Sequence, residues 1–240
     1  MSRGSAALAT GAVIGALGVA HAGPGLTALR PVRNALFPRL AGLGRNGHVA
    51  LTFDDGPDPG HTPALLDLLA ARGVQATFFL LGSMVARAPG LAAEISAAGH
   101  ELSVHGWAHR YTITRSPWVV RDDLVRAWDA VGEASNSVPR WYRPPYGVLS
   151  TGAITASRSL GLTPVLWTCW GREWVGGATP ETVHQTLAKD LGPGATVLLH
   201  DSDCTSPPGS AAAALGALPK LLDDCEAHGW QVGPLAHHGL

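Results

Sequence analysis

The hydrophobic positions of this chain switch repeatedly between short apolar runs and longer stretches with helical spacing. His48-Val-Ala-Leu-Thr-Phe53 is a short apolar run that ends in Asp54-Asp55-Gly56-Pro57 and reads as a strand. Leu65, Leu66 and Leu69 then recur at helical spacing behind Thr62-Pro63. The threonine hydroxyl is expected to cap that helix, and the proline suits its first turn. Gly73 stops it, and residues 75–81 form the next strand. A single helix is expected over 85–98, ending at Gly99, with a strand at 100–104. Leu124, Trp128 and Val131 make the apolar stripe of a third helix, with Trp128 in the core. Further strands are predicted at 140–142, 162–167, 196–200 and 230–235, and further helices near 151–160, 180–190 and 210–227.

Strands alternating with helices predict parallel strands joined by crossovers, hence an α/β barrel or a doubly wound sheet. Asp54, His105, Arg143, Trp167 and His200 fall at the C-terminal ends of separate strands. Barrel sites are assembled there, whereas a doubly wound sheet would gather them at one switch point. The barrel is therefore expected. No glycine-rich phosphate fingerprint follows the first strand, and two carboxylates beside Gly56 would repel a pyrophosphate, which argues against nucleotide binding.

Composition narrows the picture. The 240 residues carry 17 Lys+Arg against 18 Asp+Glu, a net charge of -1, so there is no electrostatic footprint for nucleic acid. At 46% hydrophobic and 15% charged residues, disorder is excluded as the main state. Cys169, Cys204 and Cys225 cannot all pair within one chain, and no Cys-x-x-Cys suggests a zinc knuckle. Cys169 reads as buried filler. Residues 1–47 differ from the rest: Arg3 precedes an Ala/Gly-dominated apolar run at 6–20, followed by Ala20-His21-Ala22. That reads as an export signal, a membrane anchor or a connector, which puts the protein outside the cell or at a membrane rather than in the cytoplasm. Residues 26–45, rich in arginine and proline, are expected to pack on the domain or lie near a membrane surface. Residues 48–240 are expected to form one folded domain.

Adjacent carboxylates at Asp54 and Asp55 repel unless a cation sits with them. His105 and His109, four residues apart, would share one face if the segment turned helical. Together they form a 2-His-1-carboxylate pattern suited to a divalent ion such as Zn, Co, Ni or Fe. Arg143-Pro-Pro-Tyr-Gly147 is a stiffened loop whose arginine could pair a carboxylate, and His200 ends an apolar strand.

These pieces resemble the polysaccharide deacetylases with the nodulation-protein deacetylase domain, carbohydrate esterase family 4. The family's motifs stand here as Thr52-Phe-Asp-Asp-Gly56, His105-Gly-Trp-Ala-His109, Arg143-Pro-Pro-Tyr-Gly147 and Leu198-Leu-His200, over residues 48–235. The resemblance implies a distorted (β/α) barrel and a single divalent metal, zinc first, with cobalt or nickel as alternatives. By motif it implies Asp54 as general base, and Asp55, His105 and His109 as metal ligands. It also implies Arg143 as the base's partner, the Tyr146 N–H as an oxyanion donor and His200 as general acid. The implied substrate is an N-acetylated sugar, from peptidoglycan, a chitin-type oligomer or an N-acetylglucosaminyl conjugate. An O-acetyl xylan esterase, a small-metabolite amidase and a silent sugar-binding protein are the alternatives. The chain departs from the family pattern at Gly106, where Ser or Thr is usual. It departs again at Trp167-Thr-Cys-Trp-Gly-Arg-Glu-Trp174, where Glu173 replaces an aspartate and Trp170 stands where another often is. Glu173 is expected to orient His200, failing which Asp201 or Asp203 would serve. Eight tryptophans, several in or beside these loops, suit the apolar face of a pyranose.

Overall fold

A computed structural model describes residues 15–240. Its centre is a curled sheet of eight parallel strands: β1 (His48–Asp54), β2 (Thr77–Leu80), β3 (Glu101–Val104), β4 (Trp141–Tyr142), β5 (Thr163–Pro164), β6 (Cys169–Trp170), β7 (Thr196–His200) and β8 (Gln231–Gly233). The order is β5-β4-β3-β2-β1-β7-β6, with β8 beside the start of β1. The expected distorted barrel is therefore present, with a gap between its edges β5 and β6. Of the strand expected at 162–167 only Thr163–Pro164 pairs, as β5; residues 165–168 then bridge the gap to β6 on the opposite edge.

Parallel strands are covered on both faces, and β1 is buried along its whole length. Its alternation sorts the residues. Val49, Leu51 and Phe53 point outward into one large apolar cluster with Phe78, Leu80, Val197 and Leu199. Ala50 packs with Phe79, Trp141 and Val165 in a separate, smaller cluster. On the Ala50 side of the strand, Thr52 and Asp54 are the polar positions, and each bonds Arg143. Truncating a buried ring such as Phe53 to Ala costs about 3–5 kcal/mol in such a core.

The helices around the sheet are α1 (Arg30–Leu36), α2 (Pro38–Ala41), α3 (Thr62–Ala71), α4 (Gly82–Arg87), α5 (Pro89–Ala97), α6 (Pro117–Ser135), α7 (Thr151–Ser159), α8 (Pro180–Ala188) and α9 (Ser210–Ala227). The helix expected over 85–98 is broken in two. Ala88 sits before Pro89 at φ -137, ψ 60, because a residue preceding proline is pushed out of the helical region. The cap expected from Thr62 is not made. Its hydroxyl accepts from the Asp58 N–H at 2.8 Å and donates to Asp201 Oδ2 at 2.6 Å instead. Trp128 is partly buried at the margin of the cluster around Leu124 and Tyr142 rather than inside it.

Residues 23–44 run along the gap between β5 and β6. Leu40 O accepts from Leu166 N at 2.7 Å, Gly42 O from Thr196 Oγ1 at 2.6 Å, and Gly194 O from Gly44 N at 3.0 Å. Most of the apolar run at 6–20 lies outside the described residues. Among the described residues, no helix is long and apolar enough to cross a membrane.

Candidate active site

The chemistry collects at the C-terminal end of the sheet. Asp54 is the last residue of β1, and the chain then turns through Asp55 at φ +81, a left-handed conformation that aspartate tolerates better than most residues. At Gly56 a Cβ would lie 2.2 Å from Asp201 Oδ2, so only glycine fits. The turn aims Asp55 Oδ1 at two imidazoles: 3.4 Å from His105 Nε2 and 3.7 Å from His109 Nε2. Both histidines reach it from a loop, not from the helical turn that would have placed them on one face. Gly106, at φ +102, makes that loop possible, and the Trp107 N–H donates to Asp123 Oδ2 at 2.8 Å. Arg115 in turn bonds Asp123 Oδ1 at 2.8 Å. Asp123 thus braces a loop that lacks the hydroxyl usual after the first histidine.

The trio fits a divalent cation. Asp55 Oδ1 is buried without a hydrogen-bond partner, a costly state unless a cation faces it. The other oxygen, Oδ2, accepts from the Thr205 hydroxyl. His105 Nδ1 lies 2.8 Å from the Arg143 carbonyl and so carries the proton, leaving the Nε2 lone pair directed at Asp55. Burial holds His105 down to about 3, so the ring is a neutral ligand. His109 is likewise lowered by burial.

Asp54 Oδ1 accepts from Arg143 Nη1 at 2.7 Å, and the same nitrogen donates to Thr52 Oγ1 at 2.7 Å. Arg143 is fully buried and also bonds the Leu166 carbonyl at 2.9 Å and that of Val165 at 3.4 Å. Burial raises Asp54 above the ordinary carboxylate range, while Arg143 and His200 pull it back. On the far side, His200 Nδ1 is 2.7 Å from Glu173 Oε1, with Glu173 wholly buried. Burial alone would lower His200, but the Glu173 charge and hydrogen bond raise it to about 9. Asp201 is turned toward Thr62, and burial pushes it up to about 7. Asp203 accepts from the Gly209 and Ala211 N–H groups at 2.6 Å each, at the start of α9.

These groups open into a cleft of about 360 Å³ with two aromatic walls. Tyr111 stacks on Tyr146 at 3.9 Å, and Tyr146 meets His109 edge-on at 4.3 Å. Opposite, Trp174 meets His200 at 5.2 Å and Trp170 at 5.6 Å. Tyr146 itself sits at φ +60. A larger cavity, about 560 Å³, opens at the other end of the sheet among His48, His100 and His237 and holds none of these groups. Cys169 is buried, and burial raises its thiol far above the usual range, as filler requires.

Sequence reasoning gave no part to Thr52, Tyr111, Asp123 or Thr205. Thr52 could have been found, since it lies two residues before Asp54 on the same strand face. Thr205 carried no local signal, because it meets Asp55 from 150 residues away.

The polysaccharide deacetylase profile matches residues 43–165. A chitooligosaccharide deacetylase of Bradyrhizobium sp. (strain ANU 289) is 36% identical over 197 residues, covering 78% of this chain and 88% of that protein. Among solved structures, the Bc1960 peptidoglycan N-acetylglucosamine deacetylase superposes with a TM-score of 0.75 at 27% identity, covering 82% of this chain and 90% of that one. BA3943 of Bacillus anthracis, described as a CE4 family pseudoenzyme, superposes with a TM-score of 0.73 at 25% identity, covering 80% and 65%.

Proposed function

This chain belongs to the polysaccharide deacetylase family, and from that membership we propose how its cleft works. The protein is a metal-dependent deacetylase of N-acetylated sugars. Asp55, His105 and His109 hold the divalent ion, which in our reading is zinc, with cobalt or nickel as working substitutes. When bound, the ion supplies Lewis acidity, drawing charge from the acetyl carbonyl and making a water easier to deprotonate.

The chain's own residues do the rest. Asp54 takes the proton of the attacking water, and its raised basicity suits that task. Arg143 fixes the carboxylate in place, with one oxygen engaged and the other facing the cleft. The Tyr146 backbone N–H is the donor to the developing oxyanion. His200 protonates the leaving nitrogen, and Glu173 keeps it charged at neutral pH for that purpose. The tyrosine and tryptophan walls cover the apolar faces of a pyranose.

The observation that carries this reading is the opposition of a clamped base and a charged acid across one metal trio. An amide depends on protonation of its leaving nitrogen more than an ester depends on protonation of its oxygen. A histidine raised to about 9 therefore favours N-acetyl over O-acetyl substrates. A complete set of base, acid and ligands also supports turnover over silent sugar binding. The substrate we propose is an N-acetylglucosamine chain of the peptidoglycan or chitin type, met outside the cell or at its membrane. The chemistry of the named relatives and the export-like sequence at 6–22 support that placement.

The test is acetate release from N-acetylglucosamine oligomers, run beside O-acetylated xylan, after chelation and reloading with zinc or cobalt. Zinc-restored release from the amide is expected. Asp54→Asn should lower it about 10³-fold while metal content stays at one ion per chain. Release from xylan alone would overturn the N-deacetylase reading.

A further inference from the structure

Arg33 is a buried cation that the reaction does not use. It lies on α1, in the segment that runs along the gap between the sheet edges β5 and β6, and its side chain is 4% exposed. Among the described residues no carboxylate pairs with it; the charges that act on it are Arg30 and Arg143. A guanidinium buried without a counter-charge is costly unless its donors are well used.

Nη1 and Nη2 go to two backbone carbonyls, while Nε is buried without a partner. Nη1 bonds Ala28 O and Nη2 bonds Trp167 O, each at 2.9 Å. The guanidinium carbon also lies 5.4 Å from the Trp167 ring centroid, and that of Arg143 lies 5.8 Å from the same ring. The bridge across the gap is therefore held by two arginines. Arg143 takes the carbonyls of Val165 and Leu166, Arg33 takes that of Trp167, and Leu40 O accepts the Leu166 N–H. In a closed barrel those edge groups would pair with a neighbouring strand. Here side chains and one segment satisfy them.

The bridge is also part of the cleft. Trp167 lines it, and its ring packs so closely on Gly147 that a Cβ there would come within 2.6 Å. Gly147 follows Tyr146, and the Leu166 carbonyl steadies the arginine that grips Asp54.

We propose that Arg33 is a positioning residue for deacetylation: it clamps the 165–167 bridge so that Trp167 and Arg143 stand correctly in the cleft. The proposal rests on the deacetylase reading above, and it makes the segment before residue 48 a working part of the catalytic unit.

The experiment compares Arg33→Ala and Arg33→Lys with the unmodified 240-residue chain in zinc-dependent acetate release, with circular dichroism and metal content measured on each. Arg33→Ala is expected to lower kcat/KM by about 10- to 100-fold with one zinc retained, since small misplacement in a site has that scale of effect. Low millimolar guanidinium should restore part of the loss in Arg33→Ala and nothing in the unmodified chain. Arg33→Lys should fall between, because it keeps the charge but presents one nitrogen where the guanidinium presents two. Unchanged kcat/KM in folded Arg33→Ala would overturn the proposal. So would a loss that tracks unfolding and that neither guanidinium nor lysine relieves. If Arg33→Ala does not fold, Arg33→Lys at full activity overturns it too. Inactivity of the unmodified chain would instead indict the functional reading.

Discussion

His48 and His200 stand at opposite ends of two paired strands, β1 and β7, and are shifted in opposite directions. His200, at the catalytic end, is raised to about 9. His48, at the floor, is lowered to about 4 by burial and by its neighbour His238. Both are buried or nearly so, and burial disfavours the charged form of each. The partner decides the outcome. His200 meets the Glu173 carboxylate. His48 meets another imidazole, His238 Nδ1, at 2.8 Å, while His238 Nε2 donates to Gly42 O at 3.2 Å. The contact takes a proton on only one of the two Nδ1 atoms, so both rings cannot be charged together, and burial lowers each of them. One fold thus holds a charged histidine for chemistry and a neutral pair for architecture, and it sets each by what it places opposite the ring.

The sharpest way to break this contrast is Glu173→Gln. Without its carboxylate, burial should pull His200 down toward His48, against the remaining charges of Asp55 and Asp54. We expect kcat to fall about 10²-fold at neutral pH and the alkaline limb of the pH–rate profile to move from near 9 to lower pH. A profile that keeps its alkaline limb near 9 would mean the charge comes from elsewhere.

A smaller effect comes from the floor. A histidine whose folded value lies below its ordinary 6.5 contributes stability above that pH and loses it as pH falls toward about 4. His200 contributes in the opposite sense: its stabilisation is full below 6.5 and lost as pH rises through about 9. Urea denaturation at pH 6.5 and pH 4.5 should therefore show a loss of about 1 kcal/mol attributable to His48, after allowing for solvent screening. His48→Gln should show a smaller acid loss than the unmodified chain.

The smallest effect separates the two ends by loop geometry. Gly106 at the catalytic end and Gly47 at the floor have φ +102 and +80. Alanine at either should cost about 1 kcal/mol, measured by thermal melting. Only Gly106→Ala should also lower kcat, by a few-fold, because a Cβ there meets Asp123 Oδ2 at 3.2 Å and disturbs the loop carrying His105 and His109.

The sequence revealed the two ends unequally. At the catalytic end, chemistry forces particular residue types into short motifs, so Asp54, Asp55, His105, His109, Arg143 and His200 could be picked out before any fold was known. Glu173 stood out only because it replaces an aspartate. The floor has no such grammar: His48 looked like the first residue of a strand, and its pairing with His238 links positions 190 residues apart. Arg33 was hidden for a related reason, since its partners are backbone carbonyls, which any sequence provides. The strand alternation was readable because its period is local. The break at 165–168 was not, because it depends on the edges that β5 and β6 find.

Strand β1 draws its neighbours from far along the chain: 77–79 on one side, 196–200 and 231–233 on the other. Such distant pairings form late, because the intervening chain must be closed first. The part of the strand that carries Asp54 therefore keeps one side unpaired until residues 196–200 reach it. A chain that stops before β7 lacks both His200 and the second neighbour of Asp54, and is expected to be inactive.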